Sequence, residues 1–148
     1  MPKPDAARLD PATYPITVEV ETRFQDLDPL GHINNVAMAG LFEAGRIKFN
    51  HANGTANHPR TKDERWLIAA VNINYIAEAY FPDLVSIGHG IKRIGNSSWE
   101  IASAAFQNGT CVATCDATLV YTNANGAKPL DPAFSALLKS ALIRVRTY

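Results

Sequence analysis

Two aspartates, a histidine and two asparagines lie within ten residues of one another, in the stretch DLDPLGHINN at positions 26–35. The carboxylate of Asp28 is suited to attack a carbonyl carbon, or to activate a water molecule for that attack. The imidazole of His32, four residues later, is suited to carry a proton or to hold a water molecule. Backbone N–H groups at the start of a helix would stabilise the oxyanion that forms. The stretch therefore has two interpretations: a reactive centre held against the start of a helix, or a polar turn between a strand and a helix.

Each of these side chains also has an ordinary structural use. An aspartate that precedes a proline commonly caps a turn, and Asp28 precedes Pro29. We interpret Asp26 as a residue that supports the site or the fold, because only a regular extended chain would turn it to the same side as Asp28. A single histidine is often a hydrogen-bonded structural residue, so His32 has both interpretations.

The residues that follow His32 indicate the start of a helix. The pattern predicts a helix from about Asn35 to Asn50, with Asn34 or Asn35 as its N-cap. We expect the backbone N–H of Asn35, or of a neighbour in the first turn, to be the oxyanion donor. Gly31 has no β-carbon, so the preceding turn can bring main-chain N–H groups close to a ligand.

Two residues of opposite charge lie close together further along the predicted helix. Glu43 and Arg46 are three residues apart, a spacing at which opposite charges pair on a helix surface. We expect this pair to form, which gives Glu43 a structural role. Glu43 lies on nearly the same side of the helix as Asn35, and the alternative that it is itself the catalytic carboxylate stays open.

Hydrophobic periodicity predicts the elements that would position these residues. The helix carries apolar residues on all sides, which is typical of a buried helix. Residues 16–25 alternate polar and apolar side chains as a half-buried strand does. Runs with the same period follow the helix at 67–75, 85–91, 99–105 and 110–121. The last two are joined by QNGT, a strong hairpin signal.

The order of strand, long helix and four meandering strands indicates one α+β domain that spans residues 1–148. A short helix is predicted over residues 133–142. Residues 1–14 are polar and broken by prolines, so we expect them to be flexible or loosely packed. They also lack the apolar segment of a signal peptide.

The composition excludes several classes of function. Hydrophobic residues make up 47% and charged residues 19% of the 148 residues, as in globular proteins. Lys plus Arg and Asp plus Glu number 14 each, so no overall field attracts nucleic acid or an anionic membrane. No run approaches the roughly 20 apolar residues that a membrane span needs.

The cysteines and histidines predict neither a disulfide nor a metal site. Cys111 and Cys115 lie four residues apart in a predicted strand, so their α-carbons should be about 13 Å apart. A disulfide needs roughly 4.4 to 6.8 Å, and we infer a reduced, cytoplasmic protein. His51, His58 and His89 have no metal-ligand spacing, and no phosphate-binding loop or serine-hydrolase motif occurs.

The stretch RFQDLDPLGHINN, followed by FEAGR, resembles the signature of hotdog-fold acyl-CoA thioesterases of the 4-hydroxybenzoyl-CoA thioesterase-like family. The resemblance covers roughly residues 15 to 122. The residues in register with the signature are Asp26, Asp28, Gly31, His32, Asn34, Asn35, Glu43 and Arg46.

This resemblance implies a hotdog fold, in which a curved antiparallel sheet wraps around one long central helix and a short C-terminal helix follows. It also implies a homodimer or homotetramer with its active site at the subunit interface. The implied activity is hydrolysis of an acyl-CoA substrate by Asp28 and His32, with Asn35 as oxyanion donor and Gly31 and Asn34 against the substrate. Coenzyme A enters as part of the substrate, and no separate cofactor is expected.

The stretch KRIGNSSW at 92–99 is where related proteins often bind coenzyme A. Arg93, Ser97 and Ser98 are therefore candidates to bind its phosphates and pantetheine arm. The alternative is a solvated hairpin turn, which the composition of the stretch favours.

Two departures from the family pattern leave other functions open. Met38 stands where members often carry an aromatic residue, which bears on acyl specificity, and Leu30 stands where the plant acyl-carrier-protein relatives have an asparagine. One rival function is a hotdog hydratase or dehydratase that acts on enoyl thioesters. Another is a module that binds acyl thioesters or a partner protein without chemistry.

Overall fold

The computed structural model describes residues 4–144 and shows six strands and two α-helices. The strands are β1 (Ile16–Val20), β2 (Arg65–Tyr75), β3 (Val85–Ile94), β4 (Ser98–Gln107), β5 (Thr110–Asn123) and β6 (Gly126–Ala127). The helices are α1 (Asn35–Ala52) and α2 (Pro132–Lys139). Within residues 4–144, neither helix combines the length and the hydrophobicity needed to cross a bilayer.

The strands form one antiparallel sheet in the order β1–β3–β4–β5–β2, and the short β6 pairs with β5. The predicted hairpin between β4 and β5 is confirmed. Asn108 and Gly109 occupy its tip with φ angles of 52° and 80°, the backbone conformation for which Asn-Gly is preferred. β2 lies at one edge of the sheet and β1 at the other.

Helix α1 packs against one face of the sheet and forms the core with it. Phe42 and Phe49 of the helix are fully buried, each within one of the two core clusters that lie under it. The prediction that α1 is buried on every side is wrong for this single chain, because the sheet covers only one side of the helix. Val36 and Ile47 on the other side are 77% and 56% exposed.

The first strand is shorter than its hydrophobic pattern predicts. β1 ends at Val20, and residues Phe24–Asp26 form a 3₁₀ helix instead of continuing the strand. The physical reason lies in Asp26, whose carboxylate accepts the backbone N–H of Arg23 at 2.9 Å and so closes a turn. A local side-chain bond of this kind competes with strand pairing.

The N-terminal segment is more closely packed than the sequence predicts. Residues 1–3 lie outside the described part, but Tyr14 is buried on the outer face of the sheet against Ala102, Ala104 and Phe106. The guanidinium of Arg8 lies 2.8 Å from a carboxylate oxygen of Asp116 on β5. The expectation of loose packing is therefore corrected for residues 5–14, because an ion pair and a buried aromatic ring hold the segment.

Candidate active site

The carboxylate of Asp28 closes the turn that precedes α1. Its Oδ1 accepts the backbone N–H groups of Leu30 at 2.9 Å and His32 at 3.1 Å. The backbone N–H of Asp28 donates to the carbonyl of His32 at 2.8 Å, and Gly31 within the turn has a φ of 84°. The turn needs a glycine there for its backbone conformation. Asp28 is half-buried, and its Oδ2 makes no hydrogen bond to any described residue.

Helix α1 begins at Asn35, as predicted, and Asn34 is its N-cap. The Asn34 side-chain oxygen accepts the backbone N–H of Ala37 at 2.7 Å. The backbone N–H of Asn35 has no hydrogen-bond partner within residues 4–144, so it remains an available donor at the positive end of the helix. The hydroxyl of Tyr75 on β2 donates to the Asn35 carbonyl at 2.9 Å and ties the edge strand to this first turn.

Asp26 is 3% exposed and its contacts lie within the chain. Besides its bond to the backbone of Arg23, it lies 2.9 Å from the guanidinium of the same residue. Its backbone carbonyl accepts both the backbone N–H and the side-chain amide of Asn34. These contacts place Asp26 in a supporting position, where it holds the N-cap of α1 against the preceding segment.

A cavity of about 780 Å³ lies beside the first half of α1, between the helix and the end of β1. Asn34 and Asn35 form its wall at the tip of the helix, and small residues of the next two turns, Ala37, Gly40 and Ala44, extend that wall. Asp28 is not among the residues that line it. Asn35, whose backbone N–H is unpaired within residues 4–144, is thus one of the residues that line this cavity.

His32 contacts two residues that sequence reasoning missed. Its Nε2 lies 3.1 Å from a carboxylate oxygen of Glu78, and its ring packs edge-on against Tyr80 with centroids 5.4 Å apart. The hydroxyl of Tyr80 donates to the same oxygen of Glu78 at 2.8 Å. Both residues lie in the connection between β2 and β3, which no motif singles out, so only the fold brings them to His32.

The predicted ion pair of Glu43 with Arg46 is absent from the described residues, which corrects that expectation. Arg46 is 8% exposed, and its Nη1 lies 3.8 Å from the sulfur of Cys115. Glu43, three residues earlier, is exposed. Arg46 lies on the face that packs against the sheet, and this burial prevents the surface pairing that the spacing suggests.

Arg93, Ser97 and Ser98 lie at the other end of the sheet. The connection before β3 is tied to the candidate site, because Ile33 donates its backbone N–H to the Ala79 carbonyl at 2.8 Å. Arg93 is eight residues beyond Val85, about 26 Å along an extended strand. It lies 3.6 Å from Glu100 of the neighbouring strand. One chain therefore does not bring these three residues to Asp28.

The described residues contain no group of three histidine, cysteine or acidic side chains placed to hold a metal ion. Cys111 and Cys115 are both free thiols. Burial raises the pKa of Cys115 to about 11, so this thiol stays protonated near neutral pH.

Solved structures of other proteins have the same architecture as this chain. A predicted thioesterase from Bacillus stearothermophilus is 26% identical, with a TM-score of 0.77 over 88% of this chain and 98% of that one. A thioesterase from Thermus thermophilus, complexed with coenzyme A and Zn, is 26% identical, with a TM-score of 0.75 over 86% and 95% of the two chains.

A 1,4-dihydroxy-2-naphthoyl-CoA thioesterase from Synechocystis is 13% identical and supports the fold alone, with a TM-score of 0.74 over 83% and 94% of the two chains. These neighbours confirm the predicted α+β hotdog fold. No curated protein sequence matches the chain. The family model of the thioesterase-like superfamily matches residues 22–138, from the end of β1 to the last turn of α2. The chain therefore belongs to the thioesterase-like superfamily.

Proposed function

We propose that this protein hydrolyses an acyl-CoA thioester to the free acid and coenzyme A. The observation that carries the proposal is the unpaired backbone N–H of Asn35, a residue that lines the cavity at the helix tip and follows the turn that Asp28 closes. An N–H group in that position stabilises the negative charge that develops on a thioester oxygen during attack. Membership of the thioesterase-like superfamily supports the same reaction.

Asp28 is the proposed catalytic carboxylate. Its Oδ1 is held by the N–H groups of Leu30 and His32, and its Oδ2 is left for chemistry. Two forms of the reaction use that oxygen: direct attack on the thioester carbon, which gives a mixed anhydride, or removal of a proton from an attacking water molecule. In both forms His32 gives a proton to the departing thiolate.

The proposed enzyme is a homodimer or a higher homo-oligomer that pairs along β2. The apolar residues Leu67, Ile68 and Val71 of this edge strand are 52%, 49% and 44% exposed in the single chain. An exposed apolar edge readily pairs with a second strand. Antiparallel pairing of β2 with its copy joins the two sheets and covers these side chains.

This pairing would also supply a site for the coenzyme A end of the substrate. A two-fold axis through the middle of β2 reverses the second copy, so its β3–β4 turn comes to the same end of the joined sheet as Asp28. Arg93, Ser97 and Ser98 of that turn are then candidates to bind the phosphates and the pantetheine arm. The Thermus relative, whose complex contains coenzyme A, supports this substrate class.

Release of free thiol from a panel of acyl-CoAs tests the proposal. The panel runs from short to long aliphatic chains and includes aromatic acyl groups, and the oligomeric state of the same sample is measured beside it. We expect thiol release, with saturation, from at least one member. No turnover of any member by a folded oligomer contradicts the proposal, as does loss of an enoyl-CoA double bond without thiol release. Tight acyl-CoA binding without hydrolysis contradicts it too.

A further inference from the structure

The carboxylate of Glu78 has one hydrogen-bonded neighbour and one close basic neighbour, although its side chain is 58% exposed. One carboxylate oxygen accepts the Tyr80 hydroxyl at 2.8 Å and lies 3.1 Å from Nε2 of His32. The hydrogen bond to Glu78 raises the pKa of Tyr80, which keeps its hydroxyl a donor. The carboxylate thus lies fixed between a phenol and the imidazole of the candidate site.

The backbone that carries Glu78 is clamped on both sides. Gln107 of β4 is buried, and its side-chain amide accepts the backbone N–H of Tyr80 at 2.8 Å and donates to the Tyr80 carbonyl at 2.7 Å. On the other side, the Ala79 carbonyl accepts the N–H of Ile33, one residue after His32. The segment 78–80 is therefore held against His32 by backbone bonds that do not involve the Glu78 side chain.

His32 is held equally well from its own side. Its backbone N–H donates to Asp28 Oδ1 and its carbonyl accepts the Asp28 N–H. Its Nδ1 makes no hydrogen bond to any residue in the described range, whereas Nε2 faces the acceptor Glu78. A carboxylate oxygen this close to Nε2 favours the proton on that nitrogen, which leaves the lone pair of the neutral ring on Nδ1.

We infer that Glu78 is a positioning residue that fixes His32 in the Nε2–H tautomer, so that Nδ1 is the nitrogen that exchanges protons in the proposed hydrolysis. The inference rests on the proposed function. In the anhydride form the ring starts with a proton on both nitrogens: the thiolate takes the Nδ1 proton as the C–S bond breaks, and the water that attacks the anhydride carbon returns a proton to Nδ1 as the bond to the Asp28 oxygen breaks. In the water form Asp28 takes one proton from the attacking water, the thiolate takes the Nδ1 proton as the C–S bond breaks, and the proton on Asp28 then restores the ring. A residue that fixes the tautomer of a catalytic histidine has a large effect on rate without touching substrate.

The test combines a spectroscopic readout with kinetics on three variants of the full chain, and a fourth variant serves only to assign the spectra. Long-range ¹H–¹⁵N spectra at mildly alkaline pH report which nitrogen of each neutral histidine carries the proton. The His32 signals are identified by their absence from His32→Gln, since the chain has 4 histidines. Glu78→Ala removes the acceptor, and Glu78→Gln keeps an acceptor oxygen without the charge. Glu19→Gln, an exposed glutamate on β1, is the matched control.

We expect the Nε2–H tautomer in the wild type, in Glu78→Gln and in Glu19→Gln, and a mixture of tautomers in Glu78→Ala. We expect kcat of Glu78→Ala to fall roughly 10- to 100-fold with KM changed less than about twofold, because a proton-transfer step is impaired and substrate binding is not. Glu78→Gln should recover most of that loss. An unchanged His32 tautomer in Glu78→Ala, or a changed tautomer with an unchanged kcat, overturns the inference.

The spectra need no substrate, so failure of the proposed function can be distinguished from failure of the inference about Glu78. If the wild type shows the Nε2–H tautomer and Glu78→Ala loses it, but no acyl-CoA is hydrolysed, the proposed function has failed and the catalytic role of Glu78 falls with it. If the wild type hydrolyses acyl-CoA and Glu78→Ala behaves like Glu19→Gln in both readouts, the inference about Glu78 has failed while the proposed function stands.

Discussion

His32 and His89 show how surroundings decide the use of one residue type. His32 is half-buried and faces a carboxylate at the candidate site. His89 is fully buried beneath α1, where Nδ1 lies 2.6 Å from the Ser103 hydroxyl and the ring stacks on Phe49. Within the described chain, Nε2 of His89 has no hydrogen-bond partner. Burial first, and the nearby cation of Arg46 second, lower the pKa of His89 from 6.5 to about 3.

This buried histidine predicts a loss of stability in acid. Between pH 6.5 and about 3 the unfolded chain binds a proton at residue 89 that the folded protein excludes, so the free energy of unfolding falls as the pH falls. Well below pH 6.5 this group should contribute a slope of about 1.4 kcal/mol per pH unit. Urea unfolding of the wild type and of His89→Gln at a series of pH values measures the slope. Equal slopes in the two proteins would contradict the prediction.

At the scale of single residues, the motif predicts which side chains lie together at the helix tip and leaves their contacts undetermined. Asp28, Asn34 and Asn35 do gather at the helix tip, because turn and cap chemistry depends on residues within ten positions of one another. Glu78 and Tyr80 reach His32 only through the sheet, more than 40 residues along the chain. The prediction that Arg46 pairs with Glu43 on the surface is wrong. Helical spacing shows which side chains are neighbours, but it does not show which face of the helix is buried.

Two glycines of α1 serve different purposes. A β-carbon on Gly45 would lie 2.6 Å from Nε2 of His89, so this glycine allows the helix to approach the sheet closely. A β-carbon on Gly40 would meet no atom within 4 Å. Packing within the described chain therefore does not require a glycine at position 40. Glycine inside a helix lowers stability by about 1 kcal/mol relative to alanine. Gly40 lines the cavity that we assign to the substrate.

The two alanine variants should change stability in opposite directions. Gly45→Ala should lower the free energy of unfolding by about 1–3 kcal/mol, because the added methyl group forces His89 or the helix to move. Gly40→Ala should raise it by about 0.5–1 kcal/mol through helix propensity alone. Chemical denaturation of the two variants beside the wild type measures both values. A Gly45→Ala protein as stable as the wild type would contradict the close approach of α1 to β3.

At the scale of elements, periodicity predicts most of the fold. The sequence of β5 alternates over the predicted residues 110–121, and the strand forms over Thr110–Asn123. The predicted end of β1 is wrong, since Thr22 and Phe24 continue the alternation while Asp26 turns the chain away. Hydrophobic periodicity indicates which face of a strand is apolar. It does not predict a hydrogen bond from the Asp26 side chain to the backbone three residues earlier.

The whole molecule has apolar surface that a single chain does not cover. It lies along β2 and on the outer side of α1. The sequence predicts that α1 is buried on every side. In the proposed oligomer, a second copy of the chain would bury more of α1 than the single chain does. Oligomer geometry depends on which edge stays unpaired, which follows from strand order and not from any local pattern.

A charge on the edge strand should separate the subunits. Val71→Arg places a cation in the middle of β2, where the proposed pairing would bury it without a partner. We expect a monomer by light scattering and a loss of acyl-CoA hydrolysis, because the second copy would supply the coenzyme A site. Leu9→Arg, at an exposed apolar residue of the N-terminal segment, is the control and should change neither property. An active Val71→Arg monomer would contradict the shared site.

The central claim is that Asp28, and not Glu43, is the carboxylate that acts in thioester hydrolysis. The kcat values of Asp28→Asn and Glu43→Gln on the best acyl-CoA test this claim most directly. Asparagine at position 28 keeps an oxygen that accepts the Leu30 and His32 N–H bonds, so the turn should survive. We predict that Asp28→Asn lowers kcat by about 10²- to 10⁴-fold while Glu43→Gln leaves it nearly unchanged. Loss of kcat in Glu43→Gln with full activity in Asp28→Asn would contradict the assignment.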